Sequence, residues 1–170
     1  MEEPLVKIHY WLYPISWIYG MGVRLRNKLF DWGYYQSKSF DVPVVCVGNL
    51  AVGGTGKTPH TEYLIKLLQQ TGANVAMLSR GYKRKSKGYV LATEKTDVKR
   101  IGDEPYQIKI KFPGIRVAVD ENRCHGIEQL MKLDNPKVDV VLLDDAYQHR
   151  HVKAGLNILL TDFHRLFSDD

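Results

Sequence analysis

The chain has 170 residues, of which 44% are hydrophobic and 25% are charged. This composition is ordinary for a globular protein and excludes a wholly disordered chain, and the length suffices for one domain with a buried core. The net charge of +5 favours an anionic partner, a class that includes nucleotides, phospholipids and nucleic acids. The two cysteines, Cys46 and Cys124, lack metal-ligand spacing, so a reducing cytosolic environment is the simplest interpretation.

Residues 1–40 form the first predicted region, which is rich in aromatic and basic residues. The uncharged stretch 10–23 has 14 residues, whereas a membrane-spanning helix needs roughly 20. From Ile15 onward apolar residues recur at helical spacing, with Pro14 at the predicted helix start and basic residues between them. We expect an amphipathic helix that lies on an anionic membrane surface. Packing of this helix on the domain's own core, or on a part of the protein outside these residues, is the open alternative.

Residues 44–59 carry the most informative pattern of the chain, VVCVGNLAVGGTGKTP. A short apolar strand, a glycine-rich turn and a helix in this order predict a P-loop, in which backbone amides surround a polyphosphate. Lys57 adds a positive charge near the β- and γ-phosphates, and the Thr58 hydroxyl is a candidate magnesium ligand. Ala51 takes the place of the first glycine of the motif. The predicted nucleotide-binding residues are Ala51, Val52, Gly53, Gly54, Thr55, Gly56, Lys57 and Thr58.

The rest of the chain alternates between helical patterns and short apolar runs, which is typical of a parallel sheet covered by helices. The helix after the P-loop should end near Gly72, and a later helix over 120–133 has Asp120 as its predicted cap. We therefore predict an α/β fold, a mostly parallel P-loop NTPase-like sheet flanked by helices, in a nucleotide-binding domain over residues 41–170. The predicted strands beyond the P-loop lie at 74–78, 115–119, 138–143 and 156–161.

Acidic residues mark two further candidate positions. Asp144 and Asp145 follow an apolar strand directly, which is the pattern of a carboxylate that holds magnesium opposite a P-loop. Asp103 is a candidate base that deprotonates an acceptor hydroxyl, with Glu104 beside it. A helix start is the alternative for this pair, because acidic residues favour the first turn of a helix.

Several basic residues follow the predicted strands. Lys83 to Lys87 form a basic loop, which is either a solvated surface or a clamp for phosphate or anionic lipid. His149 and Arg150 are positioned beside the phosphates or the acceptor, with a structural role as the alternative. Arg123 and His125 are interpreted as surface residues of their helix.

Four motifs together point to a family: GNLAVGGTGKTP at 48–59, SRGY at 79–82, GDEP at 102–105 and DDAYQHR at 144–150. In this order they resemble the tetraacyldisaccharide 4′-kinases, the lipid A 4′-kinases of Gram-negative bacteria. The resemblance implies transfer of the γ-phosphoryl group of ATP to the 4′-hydroxyl of a tetraacyldisaccharide 1-phosphate, which gives lipid IVA. It further implies a peripheral enzyme on the cytoplasmic face of the inner membrane, with an anionic glycolipid substrate and no nucleic acid partner.

The resemblance also implies roles for individual residues. Catalytic roles fall to Asp103, Lys57, Asp145 and His149, with ATP and Mg²⁺ as cofactors. The implied magnesium ligands are Thr58, Asp144 and Asp145.

Two departures from the family accompany this resemblance. Ala146 stands where the family usually has glycine. The family's chains are longer by a second lobe, which carries a histidine that partners the catalytic base. We therefore expect residues 1–170 to be the front part of a longer protein.

Two other functions remain open from the sequence. One is a P-loop ATPase or GTPase switch without a small-molecule acceptor, although no guanine-reading Asn-Lys-x-Asp stretch occurs in these residues. The other is a nucleotide-binding fragment that does not turn over.

Overall fold

The computed structural model describes residues 13–49, 56–146 and 150–161. The chain divides into two compact units, residues 1–37 and residues 38–170. In its described part, the first unit contains helix α1 (Tyr13–Asp31), which confirms the predicted N-terminal helix. Pro14 lies in the first turn of α1, where the missing amide hydrogen has no intrahelical partner to lose.

Helix α1 exposes large apolar side chains to solvent. Trp17, Ile18 and Tyr19 are all exposed, and because consecutive helical residues are about 100° apart, they cover a broad surface rather than a narrow stripe. Val23 and Phe30 belong to the less exposed side of the helix. The amphipathic, membrane-associating character of α1 therefore stays a prediction. Among the described residues, none of the helices combines the length and the hydrophobicity that crossing a bilayer requires.

The second unit is built on a mostly parallel sheet. Its strands in the described residues are β1 (Val44–Asn49), β2 (Val75–Ser79), β3 (Val90–Leu91), β4 (Arg116–Val119), β5 (Val140–Asp144) and β6 (Leu156–Leu160). They are arranged in the order β3-β4-β2-β5-β1-β6. The short edge strand β3 runs antiparallel to β4, and the other neighbouring pairs are parallel.

Helices cover both faces of this sheet. They are α2 (Lys57–Gln70), α3 (Val98–Ile101), α4 (Asp103–Lys111) and α5 (Arg123–Met131). Ile65 of α2 and Ile108 of α4 share a buried cluster with Leu142, whereas Ile127 of α5 shares another with Leu143. Successive side chains of a strand point to opposite faces, so the two clusters lie on opposite sides of β5. This arrangement confirms the predicted α/β fold of a mostly parallel sheet flanked by helices.

The start of α5 differs from the prediction. The residue that caps this helix is Asn122, whose side chain accepts a hydrogen bond from the backbone amide of His125. Asp120, the predicted cap, is buried directly after β4, and its Oδ2 lies 2.6 Å from Nδ1 of His125. Strand β3 and the short helix α3 were not predicted. They contain two and four residues, which is too few for a periodic pattern in the sequence.

Cys46 lies in the core as a free thiol, as the sequence predicts. Its position in the central strand β1 removes it from water, and this burial raises the pKa of the thiol to about 11.

Candidate active site

The carboxyl ends of β1 and β5 meet at one edge of the sheet. The two strands are parallel neighbours, with Val47 opposite Asp144, and they end at Asn49 and Asp144. Ligands of open parallel sheets bind in the crevice outside the carboxyl ends of the strands. The predicted acidic residues therefore lie beside the strand that leads into the P-loop.

Lys57, the first residue of α2, also lies at this edge. Its Nζ donates hydrogen bonds to Oδ1 of Asn49 at 3.0 Å and to Oδ1 of Asp145 at 3.1 Å. The Asp145 side chain is 62% exposed, so solvent screens this ion pair and it contributes little to stability. The contact matters for its position, because it holds a cation where a P-loop needs one for a phosphate.

Asp144 is the buried member of the acidic pair. Only 5% of this residue is exposed, and its Oδ1 has no hydrogen-bond partner among the described residues. Burial raises the pKa of the Asp144 carboxyl to about 6, helped by the negative charges of Glu104 and Asp145 and opposed by Lys57 and Arg123. A buried carboxylate oxygen without a partner is costly unless a cation or a proton meets it.

These residues fit a magnesium ion. Thr58 follows Lys57 in the first turn of α2 and is half-buried. The described residues contain no group of three or more histidine, cysteine or acidic side chains that could hold a metal by themselves. Magnesium does not need such a group, since it is usually bound by one or two carboxylates together with phosphate oxygens and water. The Asp144 oxygen that has no hydrogen-bond partner within the described ranges provides a ligand of the right chemistry.

Asp145 has an unusual backbone conformation. Its φ is 51°, in the left-handed region that residues other than glycine enter at a cost. Its backbone amide donates to the carbonyl oxygen of Val47 at 3.0 Å, which fixes the turn after β5 against β1. Strain of this kind is often found at functional sites. Here it accompanies the contact between Asp145 and Lys57.

Asp103 is placed at the same edge by helix α4. It is the first residue of α4, and since α4 leads back to the amino end of β4, its own N-terminus lies near the carboxyl ends of the strands. The preceding Gly102 has a φ of 90° and packs closely on the carbonyl oxygen of Tyr82, just beyond β2. Asp103 is exposed, and its neighbour Glu104 acts electrostatically on Asp144. The structure thus confirms the helix start at the GDEP motif, and the role of Asp103 as a base stays a prediction.

Arg123 is a site residue that the sequence reasoning placed wrongly on the surface. It is 3% exposed, its Nη1 donates to the carbonyl oxygen of Asp120 at 2.8 Å, and its Nε has no partner within the described part of the chain. Burial lowers the pKa of its guanidinium, as does the charge of Arg80, while Asp144, Asp145 and Asp120 raise it. Arg123 is therefore a second cation near the acidic pair, and unlike Lys57 it is buried. Its helix position alone gave no signal of this burial.

Comparisons with known proteins place the chain in a family. A family model described as LpxK, tetraacyldisaccharide-1-P 4′-kinase, matches residues 8–170. The chain belongs to this family. A tetraacyldisaccharide 4′-kinase of Bacteroides fragilis strain YCH46 is 71% identical over the whole chain, and one of Bacteroides thetaiotaomicron is 68% identical. The resemblance read from the four motifs is thereby confirmed.

A solved member of the LpxK family shares the fold. This crystal structure, described as the "apo" form of LpxK from Aquifex aeolicus in complex with ATP, has a TM-score of 0.81 and is 41% identical. The match covers 93% of this chain and 51% of that one. The chain also covers 45% of the Bacteroides fragilis relative, so it spans about half the length of the curated relatives it matches.

Part of the predicted site lies outside the described residues. Gly56, with a φ of 74°, is described and leads into α2. The amides that would surround the phosphates thus stay a prediction, as does the role of the histidine. The residues concerned are Ala51, Val52, Gly53, Gly54, Thr55 and His149.

Proposed function

We propose that this chain supplies the nucleotide-binding part of an ATP-dependent lipid kinase. Its reaction would be phosphorylation of the 4′-hydroxyl of a tetraacyldisaccharide 1-phosphate, which gives lipid IVA. The observation that carries the proposal is the ammonium of Lys57, which donates hydrogen bonds to Asn49 and Asp145. It lies beside the buried Asp144, whose Oδ1 has no partner in the described part of the chain. The names of the relatives and the ATP in the Aquifex aeolicus structure support it.

The residues at the edge of β1 and β5 suit phosphoryl transfer. This reaction depends on alignment and on neutralisation of charge more than on covalent catalysis. Lys57 would exchange its contact with Asp145 for phosphate oxygens, and Arg123 adds positive potential from its buried position. Thr58, Asp144 and Asp145 would hold Mg²⁺, which when bound neutralises charge on the β- and γ-phosphates.

Asp103 would act on the acceptor. Its exposed carboxylate at the start of α4 is available to accept the proton of the sugar hydroxyl and to orient its oxygen toward the γ-phosphate. A carboxylate at a helix N-terminus is favoured in its ionised form by the helix dipole, which keeps it ready as a base. His149 is proposed to lie beside the same reaction centre.

Transfer of labelled phosphate tests this function. The full-length protein is incubated with γ-labelled ATP, Mg²⁺ and the acylated disaccharide 1-phosphate in detergent micelles, and the lipid and aqueous phases are counted separately. We expect label in the lipid, and a strong loss with Asp103→Asn. Label released only as inorganic phosphate would contradict the kinase and favour the ATPase or GTPase switch.

Helix α1 is proposed as a peripheral membrane contact at the cytoplasmic face of the inner membrane. Its exposed tryptophan and tyrosine side chains suit the headgroup region of a bilayer. We expect Trp17→Glu to weaken co-sedimentation with anionic vesicles. Tyr63→Glu is the matched control, because Tyr63 on α2 has a similar exposure, 64% against 67%. Equal vesicle binding by the Trp17→Glu variant and the wild-type protein would contradict this role.

A second candidate is nucleotide binding without turnover by residues 1–170. It is favoured by the span of the chain, about half of its relatives, together with the presence of Lys57 and Asp144 in it. Calorimetry with Mg-ATP on a sample shown to be folded by circular dichroism should give weak binding that Lys57→Ala abolishes. A folded sample that releases no heat with Mg-ATP would exclude this candidate.

A further inference from the structure

The loop after β2 is built around a buried arginine. We call residues 81–88 the basic loop, since it contains four basic residues and no acidic one, GYKRKSKG. The side chain of Arg84 is only 3% exposed and pairs through Nη2 with Oε1 of Glu121 at 2.6 Å. The same guanidinium donates to Oγ of Ser86 at 3.2 Å and to the carbonyl oxygen of Gly88 at 2.8 Å. One inward arginine thus fixes the course of the whole loop.

The same fold of the loop turns its lysines outward. Lys83, Lys85 and Lys87 are exposed, in alternation with the more buried Arg84 and Ser86. Among the described residues none of the three forms an ion pair. The ammonium of Lys83 lies 5.3 Å from the ring centre of Tyr82, which is itself 74% exposed.

Helix α3 extends this basic surface. The backbone amide of Lys85 donates to the carbonyl oxygen of Lys99 at 2.7 Å, and Oγ of Ser86 donates to that of Arg100. Lys99 and Arg100 are both exposed. Two acidic side chains of this region are engaged, since Glu121 pairs with Arg84 and Asp97 accepts from the backbone amide of Arg100. The result is a surface of five outward cations with one exposed aromatic ring.

This surface packs closely against the segment that leads to the candidate base. A Cβ added to Gly81 would lie 2.8 Å from the carbonyl oxygen of Ile101, and one added to Gly102 would lie 2.8 Å from that of Tyr82. Both glycines also have positive φ, 70° and 90°, so the close approach depends on glycine at both positions. The basic loop therefore lies against the segment that begins α4 at Asp103.

We propose that Lys83, Lys85 and Lys87, with Lys99 and Arg100, form a docking surface for an anionic lipid bilayer. The cations are dispersed, exposed and mostly lysines, which suits attraction to a charged surface rather than bidentate binding of one phosphate in a recess. Tyr82 adds an amphipathic ring of the kind that is enriched at membrane interfaces. The choice of a bilayer rests on the proposed function, in which the acceptor is an acylated lipid that Asp103 must reach.

Vesicle binding by matched charge variants tests the docking surface. The full-length protein with Lys83→Gln, Lys85→Gln and Lys87→Gln is compared with a control that carries Lys66→Gln, Lys132→Gln and Lys137→Gln. Both variants lose three charges at exposed sites, but Lys132 and Lys137 lie at the opposite, amino end of the strands and Lys66 on α2. The vesicles contain phosphatidylcholine with or without phosphatidylglycerol, and no acceptor lipid.

We expect the loop variant to bind phosphatidylglycerol vesicles about 100-fold more weakly, from roughly 1 kcal/mol for each of the three lysines near an anionic surface. The control should stay close to the wild-type protein, and the difference should shrink as salt rises. Both variants should keep their thermal midpoints, because exposed unpaired lysines contribute little to stability.

Three results would overturn the docking surface. These are equal losses in the two variants, unchanged vesicle binding by the loop variant, and stronger binding of the wild-type protein to a single-stranded RNA than to the anionic vesicles. Phosphoryl transfer in detergent micelles is measured in parallel. Absent transfer with intact loop-dependent vesicle binding would refute the kinase alone, whereas normal transfer with unchanged vesicle binding would refute the docking surface alone.

Discussion

The two halves of the candidate active site are built in different ways. The nucleotide half, at the ends of β1 and β5, joins Lys57 to Asp145 through side chains that protrude directly from adjacent elements. The proposed acceptor half, around Asp103 and the adjoining basic loop, depends on a buried arginine and two tightly packed glycines. The difference teaches that a local motif can identify the residues of the first half, although the contact between Lys57 and Asp145 spans 88 positions of the chain, whereas no local motif identifies the inward side chain of Arg84 in the second half. Variants in each half should therefore fail in different ways.

The largest effect is expected from Lys57→Ala in the nucleotide half. Removal of the ammonium leaves developing phosphate charge unneutralised, and we expect kcat to fall by about 10³-fold, the scale for loss of one charge-stabilising group. Lys66→Ala, an exposed lysine on the same helix, is the control and should leave kcat unchanged. Transfer of labelled phosphate to the acceptor measures both. A kcat of the Lys57→Ala variant within a few-fold of the wild-type value would contradict the role of Lys57 in neutralising phosphate charge.

Asp103→Asn should produce the next largest effect and should separate the two halves. We expect kcat to fall by about 10²-fold, the lower range for loss of a general base, while Mg-ATP affinity measured by calorimetry stays the same. Glu104→Gln provides the comparison, because Glu104 is the neighbouring carboxylate in the same helical turn. If Glu104→Gln lowered kcat more than Asp103→Asn, the assignment of the base would have to change.

Arg84→Ala should destabilise the proposed acceptor half and leave Mg-ATP binding by the nucleotide half unchanged. The substitution leaves Glu121 unpaired and the basic loop without its central donor, and we expect a loss of about 2 kcal/mol in the free energy of unfolding. This lies below the range for fully buried pairs because the side chain of Glu121 is about half exposed.

Chemical denaturation measures this loss, with kcat and Mg-ATP affinity measured on the folded variant. We expect kcat to fall with Mg-ATP affinity intact, since the loop packs beside Asp103. Glu121→Gln should cost less, because its amide oxygen can still accept from Gly88. A stability change for Arg84→Ala no larger than for Glu121→Gln would show that the buried arginine does not organise the loop.

Asp144→Asn should have the smallest effect, and it should increase the free energy of unfolding where Arg84→Ala decreases it. Its carboxyl has a pKa of about 6 in the folded protein against an ordinary value of 3.8, so the folded state binds more protons than the unfolded state between these values. In chelator, the stability of the wild-type protein should therefore fall as pH rises from about 4 to about 6. The variant should lack this fall and gain about 1 kcal/mol at pH 7, because a neutral amide is cheaper to bury than an unpaired charge. Parallel curves of unfolding free energy against pH for the two proteins would contradict this explanation.

The two halves of the candidate site also differ in how much of each could be predicted from the sequence. Lys57 and Asp144 were found from the sequence because a P-loop and an apolar strand ending in acid are continuous patterns with a known physical purpose. The position of Asp103 at a helix start was also foreseen, since Asp-Glu-Pro carries local helix chemistry. The prediction that Arg123 lies on the surface was wrong, because its burial depends on the position of α5 after β4 and not on its neighbours in the chain.

By itself, the sequence determined the alternation of strands and helices and the family, and it predicted which residues would neutralise phosphate charge. Spacing of apolar residues and short motifs carry this information, since they act over a few residues. Only the tertiary structure decided that Asn49 and Asp145 share the ammonium of Lys57, that Arg84 faces inward and that three lysines are left facing out. The contacts of Lys57 with Asp145 and of Arg84 with Glu121 join segments that are far apart in the chain. Which side chains are buried and which hydrogen bonds form there therefore depends on how the folded sheet brings the segments together.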